Sequence, residues 1–238
     1  MIEIKNLTKK FGDFTAVENV SLQMEKGEFF SIIGPNGSGK TTIIKNILGL
    51  LHPTEGDVLI NGISVKEEPK ETKSRIGYIP DEPKIWSHIT GREFLQFSGS
   101  LYGVEEGEIE EKIPALLDEF NLDGIEDKYY QNYSRGNKQK FSILAALLHD
   151  PDLILVDEPI VGLDPKAAEK AMDLLNQFVS KGGSVFMATH TLPVAEKHSS
   201  RVGVLTKGRL AEVGSVDELR DRMENQEASL LEIYHHFS

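Results

Sequence analysis

Gly34-Pro35-Asn36-Gly37-Ser38-Gly39-Lys40-Thr41-Thr42 fits the pattern G-x-x-x-x-G-K-[ST], the phosphate-binding loop. Before it, Phe29-Phe30-Ser31-Ile32-Ile33 is an apolar run of strand length. After it, apolar residues at 43, 44, 47 and 48 fall on one helical face. Strand, glycine loop and helix form the context that the pattern requires. Glycines let backbone N–H groups turn inward around phosphate oxygens, and a helix start adds partial positive charge. Lys40 can reach the β- and γ-phosphates of a bound nucleotide, and the Thr41 hydroxyl can ligate Mg²⁺. The plainer reading, a glycine turn that only starts a helix, does not need the lysine or the flanking strand.

The chain around this loop divides by texture. Ile2 to Ile4 and Val17 to Met24 alternate like strands, with a turn at Phe11-Gly12-Asp13-Phe14, so the opening reads as antiparallel β structure. Asp57 to Ile60 is a strand closed by the turn signal Asn61-Gly62, and Arg75 to Ile79 is another, ending at Pro80. Residues of about 82–148 then read as a helical insertion. Thr90 caps a helix to Leu101, Glu108 to Phe120 is amphipathic with Pro114 inside it, and a third helix runs from Gly136 to His149. From Leu153 onward, strands and helices alternate: 153–156, 165–180, 184–188, 202–205, 210–213, 216–223 and 228–237. The expected fold is α/β with a mainly parallel sheet, an antiparallel β part and a helical subdomain, within one domain over 1–238. Its catalytic core would be 1–81 and 149–238.

Composition narrows the function. The net charge is −12, from 26 basic and 38 acidic residues, which disfavours general nucleic-acid binding. Cysteine is absent, which removes disulfides and thiolate metal sites. No leader-like apolar segment opens the chain, and no stretch approaches the ~18 apolar residues of a membrane span. Any membrane role is therefore expected to come through a partner.

Leu153 to Val156 delivers Asp157 and Glu158 at a strand end, the edge where open α/β sheets bind ligands. Asp157 would hold Mg²⁺ and Glu158 would polarise an attacking water. With these residues in place, the chain resembles the nucleotide-binding subunit of an ATP-binding cassette (ABC) transporter over nearly its whole length. Tyr133-Ser134-Arg135-Gly136-Asn137 matches the family signature L-S-G-G-Q, with Ser134 at a helix N-cap position, 23 residues before Asp157. The resemblance implies that Ser134, Arg135, Gly136 and Asn137 face a γ-phosphate held on a partner's phosphate loop. A homodimer or heterodimer would then sandwich ATP. Asp164 matches the D-loop that crosses this dimer. His190 matches the switch histidine at the γ-phosphate, and Phe11 matches the ring that stacks on adenine. The family also implies transmembrane permease subunits on a separate chain and a peripheral position on the cytoplasmic face of the membrane. The apolar stretch with Ile85, Trp86 and Ile89 follows the position where such a partner docks, and reads either as a partner-facing patch or as local core packing.

Three positions depart from the family pattern. Asp81 stands where a glutamine is usual, and its carboxylate would either ligate Mg²⁺ or repel phosphate. Arg135 replaces the first signature glycine and Asn137 replaces the glutamine, a variant that resembles exporter-type subunits. The expectation is an ATP-hydrolysing subunit that powers transport. Its rivals are an ABC-type ATPase acting on nucleic acid or ribosomes and a phosphate-loop kinase. The acidic balance and the lack of a tandem cassette disfavour the first; the signature and switch histidine are superfluous to the second.

Overall fold

A computed structural model describes residues 1–158 and 160–238, so Pro159 lies outside the described residues. In chain order the elements open with strands β1 (Ile2–Phe11), β2 (Phe14–Met24) and β3 (Phe29–Ile33) and helix α1 (Lys40–Ile47). Strands β4 (Glu55–Ile60) and β5 (Ile63–Ser64), helix α2 (Pro69–Ser74) and strand β6 (Ile76–Ile79) follow. The helical stretch holds α3 (Gly91–Leu101), α4 (Glu106–Asp118), a 3₁₀ turn (Tyr130–Asn132) and α5 (Arg135–Leu147). The chain closes with β7 (Leu153–Asp157), α6 (Pro165–Ser180), β8 (Ser184–Thr189), α7 (Leu192–His198), β9 (Arg201–Thr206), β10 (Arg209–Gly214), α8 (Val216–Arg222) and α9 (Leu230–Phe237).

Two sheets result. One is antiparallel, in the order β2-β1-β4-β5; the other runs β10-β9-β3-β8-β7-β6 and is parallel except for β10 against β9. Every residue of β3, β7 and β8 is buried, as expected of parallel strands covered on both faces. Alternation sorts their side chains into two cores. Phe29, Ile33, Ile154, Val156, Val185 and Met187 face one core, which also holds Leu144 of α5 and Leu175 of α6. Phe30, Ile32, Leu153, Leu155, Phe186 and Ala188 face the other, with Ile43 and Ile47 of α1 and the inner face of the antiparallel sheet. Phe30 and Phe186 stack across neighbouring strands with ring centroids 5.5 Å apart. Truncating either ring to alanine would cost about 3–5 kcal/mol.

The register positions the site. Ile33 pairs with Thr189, Asp157 with Ala188, and Ile79 with Val156. The strand order β3-β8-β7-β6 therefore lines up four chain exits along one sheet edge: the phosphate loop, His190, the Asp157-Glu158 pair and Asp81.

The expected strands and the longer helices are present, with adjusted ends. β1 extends to Phe11 rather than stopping near Ile4, because irregular pairing with β2 carries it past polar residues that break the alternation. α4 begins at Glu106 and continues through Pro114. α9 begins at Leu230, where Ser229 and Glu232 form a reciprocal cap, rather than at Ala228. The short elements α2, α7 and β5 were not expected; at seven residues or fewer, they carry too little periodicity to read. α5 is less separate than an inserted helix would be. It lies against β6 so closely that a Cβ on Gly77 would meet the Ala146 carbonyl oxygen at 2.4 Å. One continuous core joins α3, α4 and α5 to the parallel sheet.

Candidate functional site

The loop between β3 and α1 is shaped by its glycines. Gly39, the residue before α1, has φ +109°, and a Cβ there would meet the Ala16 carbonyl oxygen at 2.7 Å. A side chain is therefore excluded both by backbone conformation and by space. No side chain caps α1 and its first turn carries no acidic residue, so the positive helix start stays available to an anion. A cleft of about 400 Å³ opens above it. Asn36, Gly37, Gly39, Lys40, Thr41 and Thr42 line one side, and Asp81, Asp157 and Glu158 another. Phe11, Phe14 and Ala16 form its apolar end.

Lys40 is buried, and its Nζ donates to the carbonyl oxygens of Gly34 at 2.8 Å and Pro35 at 3.1 Å. Burial pushes its ammonium below the usual lysine range, while Glu158 and Asp157 pull it back up. The nearer carboxylate is Glu158, 4.0 Å away.

Glu158 follows β7 in the left-handed region, at φ +54°. A residue with a Cβ is strained there by about 1 kcal/mol or more. Its N–H donates to the Ala188 carbonyl oxygen at 2.9 Å, which fixes the turn. The carboxylate is buried and gathered by three contacts from the end of β8. Thr189 Oγ1 donates to Oε2 at 3.0 Å, the His190 N–H donates to Oε1 at 3.0 Å, and His190 Nδ1 lies 2.7 Å from Oε1. His190 itself is half exposed. A carboxylate held at two oxygens from one strand end is oriented, yet it remains on the cleft wall.

Asp157 is also buried, and its carboxyl is pushed above the usual carboxylate range. Burial is the main cause, with Glu158 and Asp81 adding to it; the Thr41 hydroxyl bonded to Asp157 and the Lys40 charge oppose it. Burial, with the same negative field from Asp157 and Asp81, pushes the Tyr78 phenol up to about 12. Among the described residues, no cluster of three His, Asp or Glu side chains is arranged to hold a metal by itself. The set that does fit is smaller: the Asp157 carboxylate with the Thr41 hydroxyl bonded to it. Its hard oxygens suit Mg²⁺, and a cation there would offset the crowding of Asp157, Glu158 and Asp81.

Phe11 is half exposed at the end of β1, beside Lys9, whose Nζ lies 5.3 Å from the ring centroid. Phe14, across the hairpin, is exposed on the same cleft wall and was not anticipated. Thr189 was missed as well. Its signal was its place at the end of an apolar strand, directly before His190.

The signature residues lie apart from this cleft. Ser134 Oγ accepts from the Asn137 N–H at 3.2 Å and caps α5. Gly136 packs so closely that a Cβ would sit 2.9 Å from the Gly162 carbonyl oxygen. Arg135 Nη2 reaches Asp81 Oδ1 at 3.2 Å, so two of the departures from the signature and Q-loop patterns pair with one another. Asp164 caps α6, its Oδ1 accepting from the Ala167 N–H at 2.9 Å. That bond is the main cause holding its carboxyl below the usual range. Ser134, Gly136, Asn137 and Asp164 therefore do not line the cleft within one chain.

Comparison with known proteins identifies the family. Residues 17–161 match the family model described as ABC transporter. The ABC-type transporter ATP-binding protein EcsA of Bacillus subtilis (strain 168) is 33% identical over 98% of this chain and 95% of its own length. A solved ATP-binding subunit of an ABC transporter aligns with a TM-score of 0.95 at 34% identity, covering 100% of this chain and 99% of that one. An ATP-binding cassette solved as a dimer in a post-hydrolysis state, bound to ADP and Pi, aligns at 0.83 and 30% identity, covering 91% and 99%.

Proposed function

This chain belongs to the ABC transporter family as an ATP-binding and ATP-hydrolysing subunit that powers transport across a membrane, and from that premise we propose how its residues divide the work. ATP lies in the cleft with its phosphates on the Gly34 to Thr42 loop and its base against Phe11. Lys40 and the loop amides take up charge on the β- and γ-phosphoryl oxygens. Thr41 and Asp157 would hold Mg²⁺, which would supply further charge neutralisation at the phosphates. Glu158 orients a water for in-line attack on the γ-phosphorus and accepts its proton as the bond to the bridging oxygen breaks. His190 and Thr189 keep the Glu158 carboxylate in position, and His190 also faces the γ-phosphate. The observation that carries this reading is the row of strand ends, which brings the loop and the carboxylates around one cleft and sets His190 against Glu158.

Two nucleotide-binding subunits close head to tail, so that Ser134, Arg135, Gly136 and Asn137 of one complete the site of the other, with Asp164 at the seam. Their position outside the cleft of their own chain supports this, and the dimeric relative gives a precedent for dimerisation. Among the described residues no helix is long and apolar enough to cross a membrane. The relatives described as ATP-binding proteins of transporters support a membrane-spanning partner on a separate chain, met on the cytoplasmic face. An apolar hollow of about 500 Å³ near α3 supports a docking position, with Ile85, Trp86, Phe94, Phe97 and Leu101 around it. Trp86 is 62% exposed and meets Phe97 edge to face at 5.0 Å. Ile89 takes a different part, its carbonyl accepting from the Tyr130 N–H. Arg135 and Asn137 favour an exporter-type subunit.

Glu158→Gln tests the central role. The variant should bind ATP, lose hydrolysis and accumulate a nucleotide-dependent dimer on size-exclusion chromatography. Near-normal phosphate release would remove Glu158 from its place in the mechanism.

A further inference from the structure

Asp81 and Arg135 are joined by a single contact, Nη2 to Oδ1 at 3.2 Å, with both side chains about half exposed. Such a pair is weakly held, because water screens both partners. The stem of Arg135 is placed differently. A Cβ on Gly162 would lie 2.8 Å from Arg135 Cδ and 2.9 Å from Cγ, so the aliphatic part rests on that glycine, whose φ is +85°. The guanidinium can pivot on a seated stem at little conformational cost. Asp81, at the other end, is on the wall of the nucleotide cleft, near Asp157 and Tyr78. Arg135 thus connects the start of the signature helix to the nucleotide site of its own chain.

We propose that the Asp81–Arg135 pair is an autoinhibitory contact. In the separate subunit Asp81 occupies the guanidinium within the same chain. When two subunits close on ATP, Arg135 exchanges this carboxylate for the γ-phosphate of the nucleotide on the partner. A phosphate offers more charge and more acceptor oxygens than one half-exposed carboxylate, so the exchange favours the closed dimer once ATP is present. Without ATP, Asp81 keeps the arginine occupied and raises the nucleotide concentration at which dimers form. Asp81 and Arg135 are then opponents in dimerisation, although they are partners in the open subunit. The inference rests on the head-to-tail reading above.

Opposite signs follow from opposition, and a purely structural brace does not give them. Direct repulsion of phosphate by Asp81 would give them too, but with the two changes adding in the double variant, and that additivity would overturn the proposal. ATP-driven dimerisation is measured by analytical ultracentrifugation in the full chain carrying Glu158→Gln, with Asp81→Asn, Arg135→Gln or both added. Asp81→Asn should dimerise at about two- to fivefold lower ATP and Arg135→Gln at correspondingly higher ATP. The double variant should behave like Arg135→Gln, because Asp81 has nothing left to restrain. Raising salt should shrink the gain from Asp81→Asn. If both single variants shift dimerisation in the same direction, or neither shifts it, the autoinhibitory contact is overturned while head-to-tail closure stands. If the Glu158→Gln parent does not dimerise with ATP at all, the head-to-tail reading fails first. Circular dichroism melts identify any variant that fails to fold, and Arg135→Lys then replaces Arg135→Gln. Lysine keeps the charge without the fork, so it should fall between parent and Arg135→Gln; dimerisation at lower ATP than the parent would overturn the proposal.

Discussion

Two helix starts, α1 and α5, make the two halves of the proposed site, and they are built in opposite ways. α1 follows a glycine at φ +109°, has no side-chain cap, and begins with a lysine folded onto loop carbonyls. α5 follows an extended serine that supplies its own cap, and begins with an arginine that reaches toward solvent and Asp81. The first start is enclosed and left without a cap, as suits a ligand bound within the same chain. The second is capped by its own residues and has its first side chain half exposed, as suits a ligand brought by another molecule. The difference teaches that a helix N-terminus becomes an anion site through what surrounds it, since the backbone charge is common to both.

The largest effect should come from the lysine of the enclosed start. Lys40→Ala removes a buried charge aimed at the phosphates, and hydrolysis should fall by at least about 10²-fold. ATP affinity, read by calorimetry, should fall with it. Ser134→Ala removes the cap of α5 and should cost about 0.5–2 kcal/mol of stability in chemical denaturation. Its effect on ATP affinity at low protein concentration should be much smaller than that of Lys40→Ala. Equal losses of affinity from the two would break the comparison, because the capped start would then be serving nucleotide within its own chain.

The glycines sharpen the contrast at the next level. Gly39→Ala places a methyl against the Ala16 carbonyl oxygen on a backbone that L side chains rarely adopt. About 1–3 kcal/mol of stability should be lost, together with nucleotide binding. Gly136→Ala meets the Gly162 carbonyl oxygen at 2.9 Å, so backbone must move there too, but its own position is ordinary helix and adds no conformational strain. Its melting temperature should drop less, with the loss concentrated in ATP-driven dimerisation. A melting temperature lower for Gly136→Ala than for Gly39→Ala would reverse the ranking.

These two starts also mark how far the sequence could be read. The enclosed one was legible because its pattern is local: a strand, four glycine-spaced residues, a lysine and an apolar helical face all sit within one short window. The buried strands β3, β7 and β8 were legible for the same reason, and so was α6, with proline at its first turn. The capped start read as a cap from Ser134 alone, and as part of a nucleotide site only through the family resemblance. What stayed hidden was contact across distance in the chain. Asp81 and Arg135 were each seen as a departure, but their pairing depends on α5 lying against β6, which no local pattern encodes. The hold of Thr189 on Glu158 was hidden likewise, because it depends on register between β7 and β8. Neighbouring strands fix which residues share an edge, and that information is not periodic.

The smallest effect should appear beneath the enclosed start, at Asp157, and its sign is informative. Burial, with Glu158 and Asp81 nearby, raises this carboxyl in the folded subunit above its value in the unfolded chain. The native state therefore keeps its proton to higher pH than the unfolded state does. Below the ordinary carboxylate range both states are protonated and Asp157 costs no stability. As pH rises from there through the raised native value, stability declines, and above that value the whole cost is present. Asp157→Asn removes the titration while keeping an acceptor for the Thr41 hydroxyl. Without nucleotide, the variant should be more stable than the parent at pH 8, by less than about 1 kcal/mol. The advantage should shrink as pH falls through the raised native value toward the ordinary carboxylate range, with urea denaturation across that series as the check. Saturating ATP with Mg²⁺ should reverse the order, because only the parent has a carboxylate to offer the cation. If Asp157→Asn were instead the less stable protein at pH 8 without nucleotide, the attraction of Lys40 would outweigh burial. The floor of the α1 site would then be a self-satisfied ion pair, closer in design to the capped α5 start than its open helix end suggests.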